Sequence, residues 1–166
     1  YFVLPTLPNG SMSDYTVVPA ARCVALPDEL DDVAAAALAN PCMSSWAAYR
    51  ERARLKPGET VLVNGATGAS GRLAVRIAKH LGARKVIATG RNREALQALE
   101  SFGADVTIPL GEDIDLLEDS FKPQFAEGVD VVLDYLWGKS AEALLTAAAK
   151  AGPDGVPMRF VQIGAV

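Results

Sequence analysis

Residues 60–71 read Thr60-Val61-Leu62-Val63-Asn64-Gly65-Ala66-Thr67-Gly68-Ala69-Ser70-Gly71. The apolar run, fronted by the turn Lys56-Pro57-Gly58-Glu59 and closed by Gly65, has the form of a buried strand. Beyond the glycines, Leu73, Ile77 and Leu81 recur every fourth residue; Ala74, Val75 and Ala78 broaden the same face, and Arg72, Arg76 and Lys79 mark the wet one. That spacing predicts an amphipathic helix from Ala69 to Leu81, stopped by Gly82. The loop between holds Ala66-x-Gly68-x-x-Gly71, the dinucleotide-binding fingerprint with Ala in its first glycine position. In a strand-to-helix context Gly68 would let the backbone approach a diphosphate and Gly71 would let helix and strand pack closely. The helix N-terminus would supply N–H donors and a positive dipole. A P-loop is excluded, because no Gly-Lys-Ser/Thr follows.

The alternation continues outward. Lys85 to Thr89 reads as a strand, Arg93 to Phe102 as a helix stopped by Gly103, and Asp105 to Ile108 as a short strand. A mixed acidic segment, Gly111 to Phe121, precedes a strand at Val129 to Leu133, a helix at Ser140 to Ala151 and a strand at Arg159 to Ile163. Runs as apolar as Val129-Asp130-Val131-Val132-Leu133 suit strands covered on both faces. The fold class expected is α/β: a Rossmann-type, doubly wound parallel sheet with helices on both faces and any ligand on the rim of strand carboxyl ends. Residues before Lys56 break the alternation. Ser13 to Val18 and Arg22 to Leu26 read as strands, Leu30 to Leu38 and Met43 to Arg54 as helices.

A chain of 166 residues, half of them apolar and 22% charged, can bury a sizeable core, and its composition is not that of a disordered protein. Its longest near-continuous apolar stretch, Val33 to Ala39, is far short of the roughly 20 residues that span a bilayer, so no membrane partner is expected. The net charge of −4 with dispersed Lys and Arg lacks a nucleic-acid footprint. Cys23 and Cys42 form no CxxC pair and suit thiols in a reducing cytoplasm.

The fingerprint calls for a carboxylate about 20 residues on, at the end of the second strand, to hold the ribose hydroxyls of NAD. Nineteen residues after Gly71 stands Gly90, followed by Arg91-Asn92-Arg93. With the carboxylate missing and guanidiniums beside the gap, a 2′-phosphate is the better fit, and the coenzyme expected is NADP(H).

These residues resemble the medium-chain dehydrogenase/reductase superfamily, in particular its zinc-independent quinone oxidoreductase-like branch. Gly10-Ser-Met-Ser-Asp-Tyr-Thr-Val-Val-Pro19 is similar to the end of the family's GroES-like catalytic domain, and Leu26-Pro27-Asp28 to its connector. Asn40-Pro41 with Ser44-Ser45-Trp46 is similar to the entry into the cofactor domain; Lys56 to Val63, Ala78 to Ala83 and Gly103-Ala104-Asp105 complete the series. The resemblance implies a tail of the catalytic domain over 1–26 and a nucleotide-binding domain over 27–166, both from a longer, homodimeric parent acting on a small-molecule substrate. It implies Thr67, Gly68, Ala69 and Ser70 under the diphosphate, Gly90, Arg91 and Asn92 around the 2′-phosphate, and Tyr135 and Leu136 beside the ribose. Ser44 would approach the nicotinamide, and the backbone of Ile163, Gly164 and Ala165 would meet its carboxamide. One departure stands out: the family has a small residue and Gly soon after the Asp134 position, whereas here Tyr135-Leu136-Trp137 precedes Gly138.

The resemblance implies hydride transfer to a quinone, enone or carbonyl. A zinc alcohol dehydrogenase of the same superfamily is the alternative, although Asn40-Pro41 occupies the place of a metal-ligating Cys and Cys42 is displaced from it. A second alternative is a nucleotide-binding module without catalysis. Tyr135-x-x-x-Lys139 matches the catalytic pair of short-chain dehydrogenases, but Gly138 interrupts the helix that pair needs. His80, the lone histidine, is expected at a helix end on the surface.

Overall fold

The computed structural model describes residues 14–164. The chain divides into two compact units between Asn40 and Pro41. In the first, a single 3-10 turn spans Ala20–Arg22, and the Asp31 carboxylate accepts from Ala34 N–H at 2.8 Å. The strands expected at Ser13 to Val18 and Arg22 to Leu26 are absent among the described residues. Tyr15 is 93% exposed and Val17 83%. The alternation there puts its large apolar residues at the surface and not on a buried face. The two helices expected next are one, α1, over Asp32–Ala47 with Pro41 inside it; π-helical turns over Ala48–Ala53 follow it. Pro41 removes one N–H and so costs one rung of the helix without ending it.

The second unit holds β1 (Thr60–Asn64), α2 (Ala69–His80), β2 (Lys85–Gly90), α3 (Arg93–Gln97), β3 (Val106–Pro109), α4 (Ile114–Glu127), β4 (Val131–Asp134), α5 (Gly138–Ala151) and β5 (Arg159–Gln162). A 3-10 segment, Ala98–Phe102, completes the helix expected from Arg93. All neighbouring strands pair in parallel, in the order β3-β2-β1-β4-β5. The order reverses between β1 and β4, which is where a doubly wound sheet opens a crevice at its carboxyl rim.

The two-residue period of the strands feeds two cores. Val61, Val63, Val86, Ala88, Val131 and Leu133 pack with Ala74, Val75, Leu96 and Leu99 on one face. Leu62, Ile87, Ile108 and Val132 pack with Leu117, Phe121, Phe125 and Leu144 on the other. The acidic segment before β4 is thus helix α4. Asp113 caps it by accepting from Asp115 N–H and Leu116 N–H, and the four-residue spacing of Leu117, Phe121 and Phe125 faces the sheet. Among the described residues no helix is long and apolar enough to cross a membrane.

Candidate functional site: the crevice above β1 and β4

Three strands carry a polar residue at or next to their carboxyl ends, and the three polar residues meet. Asn64, Thr89 and Asp134, at the carboxyl ends of β1, β2 and β4, are each 0% exposed. The Thr89 hydroxyl donates to Asn64 Oδ1 at 2.7 Å, and Asn64 Nδ2 donates to Asp134 Oδ1 at 2.8 Å and to Ser140 Oγ at 3.0 Å. Buried polar groups joined this way fix one arrangement, since any slip leaves one of them unpaired.

The network anchors both loops of the crevice. Gly65 N–H donates to Thr89 Oγ1 at 3.0 Å and Ala66 N–H to Thr89 O at 2.7 Å, holding the glycine loop over β2. Tyr135 N–H donates to Asn64 O at 3.0 Å, Leu136 N–H to Asp134 Oδ1 at 3.0 Å, and Trp137 N–H to Asp134 Oδ2 at 3.1 Å. Asn64, Thr89, Ser140 and Asp134 lie outside the residues that the glycine-loop fingerprint marks. Their signal was present, however: a polar residue closing an apolar parallel strand on the ligand rim.

The glycines of the loop differ in what requires them. A Cβ on Gly71 would lie 2.4 Å from Gly65 O and 2.6 Å from Ala66 Cα, so close packing of helix on loop demands glycine there. A Cβ on Gly90 would lie 2.3 Å from Thr67 Cγ2. Gly68 is different, with nothing within 4 Å of its Cβ position. It is the N-cap of α2, with extended backbone, no side-chain cap and no acidic residue in the first turn. The first N–H groups of α2 therefore face the crevice without a capping side chain, a preformed place for an anion.

The cavity in front of them, about 410 Å³, is lined by Thr67, Gly68, Ala69, Ser70, Gly90 and Arg91, with Tyr135 and Leu136 on its far wall. Among the described residues Arg91 is its one charged lining residue. Asn92 stands outside the lining; its Oδ1 accepts from Ala95 N–H at 2.9 Å as the cap of α3. Arg93 lines a different cleft, with Thr107 and Pro109.

Ser44 and Ile163 share a second cavity of about 610 Å³ with Arg52 and Gln162. The Ser44 hydroxyl donates to Pro41 O at 3.0 Å. Gly164 packs so closely that a Cβ on it would be 2.3 Å from Tyr135 O. Ala165 lies outside the described residues. The Tyr135 hydroxyl is buried without a well-formed hydrogen bond; burial raises the phenol's pKa, and the neighbouring Ser44 and Ser45 hydroxyls pull it partly back. Lys139 lines a third cavity, not the Tyr135 hydroxyl's surroundings, so the Tyr135–Lys139 spacing builds no catalytic pair. His80 is exposed at the opposite end of α2, its ring centroid 6.2 Å from that of Trp46. Burial raises the pKa of the Cys42 thiol.

Comparison with known proteins bears on this geometry. A family model described as zinc-binding dehydrogenase matches residues 69–164, more than half of the chain. A probable NADPH-dependent quinone reductase of Emericella nidulans, tdiC, is 37% identical over 162 residues, 94% of this chain and 44% of that protein. A mycocerosic acid synthase-like polyketide synthase of Mycobacterium tuberculosis is 30% identical over 157 residues, 95% of this chain and 7% of that one. Among solved structures, the CurK enoyl reductase superposes with a TM-score of 0.70 at 31% identity, covering 86% of this chain and 40% of its own. The chain thus spans less than half the length of each of these relatives.

Proposed function

The chain belongs to the zinc-binding dehydrogenase family, and on that premise we propose that it is the coenzyme-holding part of an NADPH-dependent oxidoreductase that passes hydride to a quinone, enone or carbonyl. One observation carries the reading: the uncapped α2 N-terminus, with open space at Gly68, faces a cavity whose only charged lining residue among those described is Arg91. Such a site fits a diphosphate on the helix and a 2′-phosphate on the guanidinium.

In this reading Thr67, Gly68, Ala69 and Ser70 hold the diphosphate and Gly90 and Arg91 the 2′-phosphate. Asn92 contributes only its free amide nitrogen, because its oxygen caps α3. Tyr135 and Leu136 bear on the ribose, Ser44 on the nicotinamide, and the backbone of Ile163, Gly164 and Ala165 on the carboxamide. The bound coenzyme supplies the hydride; the protein orients it and keeps water from the ring. The names of the relatives support the acceptor class, one a quinone reductase and another an enoyl reductase. Among the described residues no group of three or more His, Cys, Asp or Glu converges on a possible metal site. The same reading makes the whole protein a cytoplasmic homodimer.

Nicotinamide fluorescence titration of the chain tests the binding half. Saturable enhancement with NADPH, weaker with NADH, is expected; a flat titration with both contradicts it. Oxidation of NADPH with a panel of quinones and enones by the full-length protein tests the catalytic half. Binding without turnover of any acceptor would favour a nucleotide-binding module.

A further inference from the structure

Trp137 occupies a backbone conformation that belongs to glycine. Its φ of 58° and ψ of −163° lie in a region that side-chain-bearing residues essentially avoid, and a bulky residue there is an outlier. Two contacts hold it in place. Its N–H donates to both oxygens of the buried Asp134 carboxylate, at 3.3 and 3.1 Å, and its indole meets the Phe160 ring edge-on, centroids 6.5 Å apart at 68°. Trp137 is nevertheless 42% exposed, so apolar burial alone does not account for a tryptophan at this strained position.

Trp137 lines a cavity of about 560 Å³ that continues the glycine-loop cleft, with Arg91, Leu110 and Leu136 common to both. Among the described residues Trp137 is the only aromatic of that cavity's lining, and Lys139, in the first turn of α5, adds a second cation to it against one carboxylate, Glu112. A dinucleotide with its diphosphate on α2 and its 2′-phosphate on Arg91 has one more group to place on this side of the crevice, its flat base.

We propose that Trp137 is a further binding contact of this chain for the coenzyme: its indole packs on the purine face, and the strained backbone is kept because it aims the ring there. The inference rests on the reading that the cleft holds NADPH. Stacking of an aromatic side chain on a base is a sequence-tolerant, contact-range attraction.

The chain has two tryptophans, so Trp46→Phe leaves Trp137 as the sole indole emitter. In that variant, adenosine 2′,5′-bisphosphate, which does not absorb indole emission, is expected to quench Trp137 saturably, and reduced nicotinamide mononucleotide is not. Trp137→Gly is expected to weaken NADPH binding about tenfold, the size of one lost base stack. Its melting temperature should hold or rise as the strain is released, and Trp137→Phe should keep most of the affinity. NADPH binding, seen by nicotinamide emission, with no response of Trp137 to the bisphosphate overturns this inference and leaves the proposed function standing. Unchanged affinity in Trp137→Gly does the same. Absence of any saturable NADPH binding overturns both.

Discussion

The α4/α5 side of the sheet and the rim above β1, β2 and β4 are both buried, but different forces specify them. On the helical side Leu62, Ile87, Val132, Phe121, Phe125 and Leu144 interdigitate with no charge among them. That contact is non-directional and grows with area. On the rim, three buried polar residues are joined by hydrogen bonds of 2.7–2.8 Å and clamp two loops. There the energy is modest and the geometry is specified. One region supplies stability; the other fixes where the α2 N-terminus and Arg91 stand.

Substitutions can separate the two. The largest loss of stability should come from Phe121→Ala, which empties a fully buried ring site and should cost about 3–5 kcal/mol in denaturant unfolding. The NADPH affinity of the folded molecules should stay the same; a parallel loss of affinity would show that the regions are coupled. A smaller effect, about 1–3 kcal/mol of overpacking, is expected for Gly71→Ala, whose Cβ would meet loop backbone at 2.4 Å. Gly68→Ala should barely move stability, having open space around it, yet should weaken NADPH binding. Equal melting temperatures for Gly71→Ala and Gly68→Ala would break the distinction between packing glycine and ligand glycine.

The smallest effect concerns charge on the helical side. Glu118, beside Lys122 and Lys150, has its carboxyl held below the ordinary range by hydrogen bonds from both ammonium groups. A carboxylate with a lowered folded pKa contributes stability that is fully present above its unfolded pKa and is lost as pH falls through the folded one. Glu118→Gln should therefore flatten the acid limb of the stability profile and leave coenzyme binding untouched; an unaltered acid limb would remove the pair from the account.

Much of this division is legible in the sequence. The β1–loop–α2 unit declares itself because its periods, 2 then 3.6, change at the glycines, and the order of later strands follows from the same alternation. The helix α4 is harder: Glu112, Asp113, Asp115, Glu118 and Asp119 mask the spacing of Leu117, Phe121 and Phe125, and Pro123 sits inside it. Residues 14–26 mislead in the opposite direction, since their alternation leaves large apolar residues such as Tyr15 and Val17 exposed instead of on a buried face. The place of Gly68, Gly90 and Arg91 on the cavity wall is readable because the fingerprint puts them at the carboxyl ends of β1 and β2. The network of Asn64, Thr89 and Asp134 is not, because a polar residue at a strand end also reads as a mere boundary, and only the pairing of three strands brings the three together. Asn92 shows the same limit: its type fits a phosphate contact and a helix cap equally, and the fold commits its oxygen to the cap.

The central claim is that a helix N-terminus and one guanidinium select the phosphorylated coenzyme. Calorimetric titration of the chain and of Arg91→Ala with NADPH and NADH tests it most directly. A charge-assisted contact of about 1.5–3 kcal/mol predicts a ten- to hundredfold loss of NADPH affinity, with NADH binding and the melting temperature unchanged. Equal preference for NADPH in both proteins, or an equal loss for both coenzymes, would contradict it.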